Sequence, residues 1–246
     1  FGDKLDLSRM ELACKILGNP EKKLPVNHIG GTNGKGSTVS YLKHILLEQG
    51  YNVGTFTSPY IVRFNERMTY NYNDISNDEL LYYINKVKTL SDQVLKQHNE
   101  VITFFELITI ISFLFFTDMD IDYVIYEVGL GGRLDATNVV APMIAGITTI
   151  GHDHMGVLGE SLPEIAREKL GIVKQGVPLC SSVNNEELLP IFESYTQKHN
   201  SSFFKVLDKD IVVQEYGNTT TFKYKDSFYK INMIGTHQPV NASLAI

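Results

Sequence analysis

A glycine-rich turn near the N-terminus carries the residues whose types and spacing most clearly indicate chemistry. The apolar run of residues 26–29 predicts a buried strand, and the turn at 30–34 follows it. Lys35 and the Ser37 hydroxyl come next, at the start of an amphipathic helix that ends at Gly50. Glycines let backbone N–H groups approach an anion, and the helix dipole adds positive potential. An ammonium group bridges phosphates and a hydroxyl can bind Mg²⁺, so the segment predicts a phosphate-binding loop.

The turn departs from the usual phosphate-loop pattern in two ways. Gly36 separates Lys35 from Ser37, and the glycine spacing ahead of Gly34 is one residue short. A glycine-rich surface turn before a helix is the alternative interpretation. The order of strand, turn, lysine, hydroxyl and helix favours phosphate binding.

Further polar side chains follow other predicted strands, and in an open parallel sheet ligands bind beyond the carboxyl ends of the strands. They are Ser58, Glu127, His152 and His154, with Lys169 on a later helix. Glu127 adjoins an apolar run, where an unpaired charge is costly, so it requires a cation. The alternatives are a strand-end salt bridge, loop histidines and a solvated helix lysine. Zinc would need more nitrogen or sulfur ligands than are clustered here, which favours a hard divalent ion.

Apolar strands alternate with helices along most of the chain, which predicts an α/β fold with a mostly parallel sheet covered by helices on both faces. The predicted strands are 26–29, 52–56, 121–127, 143–150 and 177–181. Predicted helices start at capping residues Ser8, Ser76, Thr103 and Ser161, and the second runs to about His98. From Phe203 onward, the short alternating runs 203–206, 211–216, 220–224 and 229–234 predict a small antiparallel meander flanking the sheet.

Composition excludes several classes of protein. The 246 residues carry a net charge of -6, which argues against nucleic-acid binding. The apolar stretch 101–116 contains Glu106 and is shorter than the roughly 20 residues that span a bilayer. Cys14 and Cys180 lack a Cys-x-x-Cys pairing, so we expect reduced thiols in a cytoplasmic protein. The missing initiator Met and the end at Ile246 lead us to expect a fragment.

Four segments in order carry a resemblance to a known family. The first is residues 31–37, the second is 127–138 and the fourth is 235–242. The third consists of the short ranges 153–154, 158–159 and 168–174. These segments resemble signatures of the folylpolyglutamate synthases and dihydrofolate synthases, within the Mur-type ATP-dependent amide ligases. The glycine between Lys35 and Ser37 is the form typical of that folate branch. Tyr60, where the family usually has histidine, and His152, where an apolar residue is usual, depart from the pattern.

The resemblance implies a site for ATP and two Mg²⁺ ions. The implied loop contacts to the nucleotide are Gly31, Thr32, Asn33, Gly34, Lys35, Gly36, Ser37 and Thr38, with His237, Gln238 and Asn241 near the base and ribose. The implied metal ligands are Ser37, Ser58 and Glu127, then His154 at a second ion that shares Glu127, and Lys169 in carbamylated form. The implied catalytic residues are Lys35, Glu127, His154 and Lys169, and Arg67 would line the substrate side.

The activity implied by the resemblance is addition of L-glutamate to the carboxylate of a reduced folate through an acyl phosphate. The alternatives are synthesis of dihydrofolate from dihydropteroate, or both reactions. More distant ones are a Mur-type cell-wall ligase and a non-catalytic nucleotide-binding module. Residues 1–246 would form the ATP-binding domain, with a separate C-terminal glutamate-ligase domain absent from this chain. We expect a cytoplasmic monomer whose partners are small molecules, with neither nucleic acid nor membrane among them.

Overall fold

An eight-stranded sheet organises the computed structural model, which describes residues 6–152 and 155–246. Its strands lie in the order β4-β3-β2-β5-β1-β6-β7-β8. They are β1 Val26–Gly30, β2 Val53–Phe56, β3 Met68–Tyr70, β4 Asn73–Asp74, β5 Tyr123–Glu127, β6 Pro142–Ile147, β7 Leu179–Ser181 and β8 Phe203–Lys205. The pairs from β2 to β8 are parallel, whereas β3 and β4 extend the β2 edge antiparallel. The predicted mostly parallel sheet is confirmed.

Helices cover both faces of this sheet. They are α1 Ser8–Ile16, α2 Lys35–Glu48, α3 Asn77–Val87, α4 Leu90–His98, α5 Phe104–Thr117, α6 Met155–Leu158, α7 Leu162–Leu170, α8 Leu189–Lys198 and α9 Gln238–Ala245. Alternate residues of β5 point to opposite faces, as the pleat requires. Val124 and Tyr126 join the core formed with α1 and α5, while Ile125 packs against α2. The prediction of helices on both faces is therefore correct.

Helix starts follow the predicted capping chemistry in three cases out of four. Ser76, Thr103 and Ser161 each accept from the backbone N–H three residues later, and a glutamate returns the bond. The fourth prediction is wrong, because Ser8 lies inside α1. The N-cap is Leu7, which makes no side-chain capping bond, and the hydroxyl and backbone N–H of Ser8 both donate to the Asp6 carboxylate.

Two further predictions are corrected by long-range packing. The single helix predicted from Ser76 to His98 is two helices, because α3 packs on α5 whereas α4 packs on α1. The run at 203–206 does not belong to the meander, since β8 pairs parallel with β7 at the edge of the main sheet. The remaining strands, β9 Ile211–Glu215, β10 Thr220–Tyr224 and β11 Ser227–Ile231, form the predicted antiparallel meander as a separate sheet.

The described residues also test two expectations from composition. Cys14 and Cys180 are free thiols, and Cys14 is buried in the core beside α5. Within residues 6–152 and 155–246, no helix combines the length and apolar character needed to cross a bilayer.

Candidate nucleotide and metal site

The turn between β1 and α2 is compressed between two other elements. Gly31 has a φ of +133°, and a methyl group there would lie 1.9 Å from Thr148 Oγ1. Gly34 has a φ of +88°, and a methyl group there would lie 2.3 Å from Asn241 Oδ1. Only glycine combines this backbone conformation with such a close approach. The end of β6 and the start of α9 therefore shape the loop.

The residues after β6 take up part of the hydrogen-bonding capacity of the loop. The predicted strand to Ile150 ends at Ile147, because Thr149 turns over the loop instead. The N–H of Thr32 donates to Thr149 O at 2.7 Å, and the N–H of Asn33 donates to Thr149 Oγ1 at 2.9 Å. These two backbone N–H groups therefore donate to Thr149 and do not point toward a bound anion. The amides suited to an anion are those of the first turn of α2, which lack intrahelical acceptors.

Two lysines from different helices converge on one carbonyl group of this loop. Lys35 Nζ donates to Gly31 O at 3.1 Å and to Thr32 O at 3.0 Å. Lys169, on α7 and only 2% exposed, donates from Nζ to the same Gly31 O at 3.0 Å. The predicted closeness of Lys169 to the loop is therefore observed, and its position excludes the solvated helix lysine considered as the alternative.

The carboxylate of Glu127 faces the N-terminal turn of α2. Its oxygens lie 3.8 and 3.9 Å from where a side chain at Gly36 would begin, which places the carboxylate beside the first turn of α2. Glu127 is 5% exposed, and Oε2 accepts from the N–H of Ser58 at 3.1 Å. Burial raises the pKa of Glu127, while the Ser58 N–H and the charges of Lys35 and Arg67 oppose that rise. The arrangement is a buried anion with incomplete compensation, which favours a bound cation.

Arg67 supplies an anion-binding group that the sequence alone indicated only through the resemblance. Its guanidinium lies over the rings of Tyr60 and Phe64, at 5.2 and 5.7 Å from their centroids. Burial lowers the pKa of Arg67, and nearby Tyr60 and Glu127 oppose that change. Nε and Nη1 are buried and have no hydrogen-bond partner in the part of the chain that the structure describes. Buried donors in this state call for an acceptor from a ligand or water.

The start of α9 contacts the loop directly. Gln238 Nε2 donates to Ser37 Oγ at 3.3 Å, and Asn241 Nδ2 donates to Gln238 Oε1 at 3.3 Å. Both amides are buried, whereas the His237 side chain is exposed. Of the three residues assigned to the base and ribose, two are therefore engaged with the phosphate loop. Their assigned role stays a prediction.

The donor set fits a magnesium ion. His154 lies outside the described residues, as does Asp153, and His152 is exposed. Across the two described ranges, no three His, Cys, Asp or Glu side chains cluster as metal ligands. The oxygen donors near the loop are Glu127, the Ser37 hydroxyl and, next to Glu127, half-buried Ser58. Mg²⁺ is typically held by one or two carboxylates and completes its shell with water and phosphate, so a sparse oxygen set suits it.

A glycine loop, an inward carboxylate and lysines at the carboxyl edge of a parallel sheet define an α/β protein of the phosphate-loop class. Residues 29–246 match the family described as the Mur ligase middle domain. A dihydrofolate synthase/folylpolyglutamate synthase of Bacillus subtilis is 42% identical over 254 residues, covering 100% of this chain and 59% of the relative. The folylpolyglutamate synthase of Lacticaseibacillus casei is 31% identical, covering 98% of this chain and 58% of the relative.

Solved structures give the same result. The folylpolyglutamate synthase of Thermotoga maritima superimposes with a TM-score of 0.89 at 34% identity, over 98% of this chain and 57% of that one. A folylpolyglutamate synthase in complex with AMPPCP and folate superimposes with a TM-score of 0.91 at 29% identity, over 100% of this chain and 62% of that one. The chain belongs to the folylpolyglutamate synthase and dihydrofolate synthase family of the Mur ligase superfamily. It spans a little under two thirds of the length of these relatives.

Proposed function

We propose that this chain is the ATP-binding unit of a ligase that adds L-glutamate to the carboxylate of a reduced folate. The observation that carries the proposal is the Glu127 carboxylate, buried and directed at the first turn of α2, where Lys35 and Gly36 lie. That turn is where phosphates bind in loops of this type. The names of the relatives supply the substrate class, and residues 1–246 form the nucleotide-binding domain in this proposal.

ATP and Mg²⁺ fit the residues present. Ser37, Ser58 and Glu127 would hold one ion, and His154 and Lys169 would contribute to a second ion that shares Glu127. When bound, Mg²⁺ neutralises charge on the phosphoryl group that is transferred. The N–H groups at the start of α2 bind the phosphates, and the Lys35 ammonium exchanges its carbonyl partners for β- and γ-phosphate oxygens.

The reaction makes a poor electrophile reactive. The substrate carboxylate attacks the γ-phosphorus, ADP leaves, and the resulting acyl phosphate accepts the amine of L-glutamate. The amine loses a proton and inorganic phosphate departs. The side chains of this chain bind and orient the reactants and stabilise charge, which is the main contribution of proteins to phosphoryl transfer.

Arg67 and its aromatic neighbours are suited to the acceptor. The unsatisfied Nε and Nη1 donors leave the Arg67 guanidinium able to donate to an anionic acceptor such as a carboxylate. The rings of Tyr60, Phe64 and Phe104 follow one another at centroid distances of 6.0 and 6.1 Å, and Tyr60 and Phe104 are exposed. A flat heteroaromatic substrate packs favourably on such rings. Arg67 then binds the carboxylate while the neighbouring rings contact the adjoining aromatic part of the substrate.

Lys169 is proposed to act as a carbamate. Its neutral amine adds to CO₂, a C–N bond forms, and one proton passes to water, which leaves a carboxylate at the end of the side chain. This change converts a donor into an oxygen ligand suited to a hard metal ion. The support is the position of Lys169 Nζ, 3.0 Å from Gly31 O and shielded from solvent.

The substrate is tested by release of ADP from the full-length protein with L-glutamate and either tetrahydrofolate or dihydropteroate. We expect release that depends on tetrahydrofolate. Release with dihydropteroate alone would identify the dihydrofolate synthase reaction, and release with both would identify a bifunctional enzyme, as the double name of the Bacillus relative suggests. ADP release with neither acceptor above background would contradict the proposal.

Replacement of Arg67 by glutamine is expected to raise the KM for the folate substrate about tenfold or more, because a charge-assisted hydrogen bond is lost. The nucleotide KM should change far less. Arg63→Gln is the matched control, since Arg63 lies in the same segment but is exposed and paired with Asp74 at 2.7 Å. Equal changes for both variants, or a change confined to the nucleotide KM, would show that Arg67 does not bind the acceptor.

A further inference from the structure

The buried amides of α9 form a chain of hydrogen bonds that ends on the Ser37 hydroxyl. Asn241 Nδ2 donates to Gln238 Oε1 at 3.3 Å, and Gln238 Nε2 donates to Ser37 Oγ at 3.3 Å. The second N–H of the Gln238 amide reaches His237 Nε2, also at 3.3 Å. The oxygen of the Gln238 amide therefore accepts from Asn241, while its nitrogen contacts Ser37 and His237.

The direction of these bonds matters for a metal ligand. A serine hydroxyl has one donor and two lone pairs. Gln238 occupies one lone pair of Ser37, so the other lone pair is free for a cation and the O–H is free to donate to a phosphate oxygen. If the Ser37 hydroxyl donated to Gln238 instead, its O–H would not be available to donate to a phosphate oxygen. The Asn241 Nδ2 donor to Gln238 Oε1 places the Gln238 nitrogen toward Ser37.

The same two residues hold the loop against α9. Asn241 Oδ1 lies where a side chain on Gly34 would begin, and Thr38 Oγ1 donates to Asn241 O at 3.4 Å. Gln238 is 7% exposed and Asn241 is 3% exposed. The amides are thus part of the packing between α2 and α9.

We propose that Gln238 is a positioning residue for the Ser37 metal ligand, with Asn241 fixing the orientation of its amide. The inference rests on the proposed function at one point, which is that Ser37 binds Mg²⁺ together with the nucleotide. It differs from the contacts to base and ribose that the resemblance implies. Gln238 acts on the metal end of the nucleotide through a protein hydroxyl.

The test is the affinity for Mg²⁺ at saturating AMPPCP, measured by calorimetry, beside the affinity for AMPPCP in EDTA. Gln238→Met keeps the length of the side chain but cannot donate, so we expect Mg²⁺ to bind about two- to tenfold more weakly. Binding of AMPPCP in EDTA should weaken less than binding of Mg²⁺ does. Asn241→Asp should also weaken Mg²⁺ binding. The new carboxylate can only accept, so the Gln238 amide turns its N–H₂ group toward position 241 and away from Ser37.

A double-mutant cycle decides whether Gln238 acts through Ser37. In Ser37→Ala the addition of Gln238→Met should produce no further loss, because coupled residues do not act additively. Ser243→Ala is the matched control on the same helix, since Ser243 is buried and its Oγ has no partner among the described residues. Thermal unfolding of each variant separates a folding defect from a change in binding.

Two results would overturn the inference while the proposed function stands. One is an equal loss of AMPPCP affinity with and without Mg²⁺, which would identify a direct nucleotide contact. The other is a full, additive loss in the Ser37→Ala background. If the unaltered chain gains no AMPPCP affinity from Mg²⁺, both the inference and the proposed function are wrong.

Discussion

Replacement of Glu127 by glutamine is expected to remove Mg²⁺-dependent nucleotide binding and, at the same time, to make the protein more stable. Loss of groups that merely support metal ligands costs about 10- to 100-fold, so loss of a carboxylate ligand should cost at least about 100-fold in Mg²⁺ affinity. Binding of nucleotide in EDTA should persist. Calorimetric titration of Mg²⁺ at saturating AMPPCP measures the effect.

The gain in stability follows from the pKa of Glu127. Burial raises the pKa in the folded protein above its unfolded value. The folded state therefore binds this proton more readily, and the stabilisation is present below the unfolded pKa and lost as the pH rises through the folded one. At neutral pH the ionised group opposes folding, and glutamine removes that cost. In EDTA, Glu127→Gln should melt higher than wild type at neutral pH, and the difference should vanish in acid below both pKa values.

Glu48→Gln is the matched control, because it removes the same charge from the exposed, opposite end of α2. It should leave both Mg²⁺ affinity and melting temperature unchanged. Wild-type Mg²⁺ affinity in Glu127→Gln would contradict the metal site. A lower melting temperature in EDTA would contradict the account of an undercompensated buried charge.

Replacement of Lys169 by methionine is expected to lower turnover of the full-length protein at least about 100-fold, because a metal ligand is lost at the second site. If the ligand is a carbamate, wild-type turnover should fall in CO₂-free buffer and recover with bicarbonate. Small carboxylates such as acetate should restore part of the activity of Lys169→Met. Mass spectrometry after incubation with isotopically labelled bicarbonate should show one bound CO₂ on the wild-type protein.

Lys174→Met is the control for this experiment. Lys174 is half-buried, and burial lowers its pKa, but its Nζ donates to Asn138 O at 3.1 Å instead of to the loop. This variant should keep its dependence on bicarbonate. Full activity of wild type without CO₂, together with no rescue of Lys169→Met, would show that the lysine acts as an amine.

Local sequence signals predicted the elements that make the site, because each depends on neighbours in the chain. The strand before Gly31, the helix after Lys35 and the strand ending at Glu127 follow from apolar periodicity and glycine placement. Three capping boxes were recognised for the same reason. The parallel order of strands then brings Glu127 and the loop to one edge of the sheet.

Contacts between distant segments were not predictable in this way. The separation of α3 from α4 and the pairing of β8 with β7 depend on which partner each segment meets. Thr149 takes up the Asn33 amide, and Gln238 reaches Ser37 across 201 positions of sequence. The amide oxygen of Asn241 beside Gly34 explains why that position requires glycine, which the motif alone attributes to the phosphates.

We propose that a nucleotide triphosphate binds at the turn of residues 31–37 and that a divalent ion joins it to Glu127. A crystal structure with AMPPCP and Mn²⁺, with the ion located by anomalous scattering, tests this most directly. We expect an ion in contact with Glu127, Ser37 Oγ and a phosphate oxygen. Nucleotide bound away from the turn, or an ion held without Glu127, would contradict it.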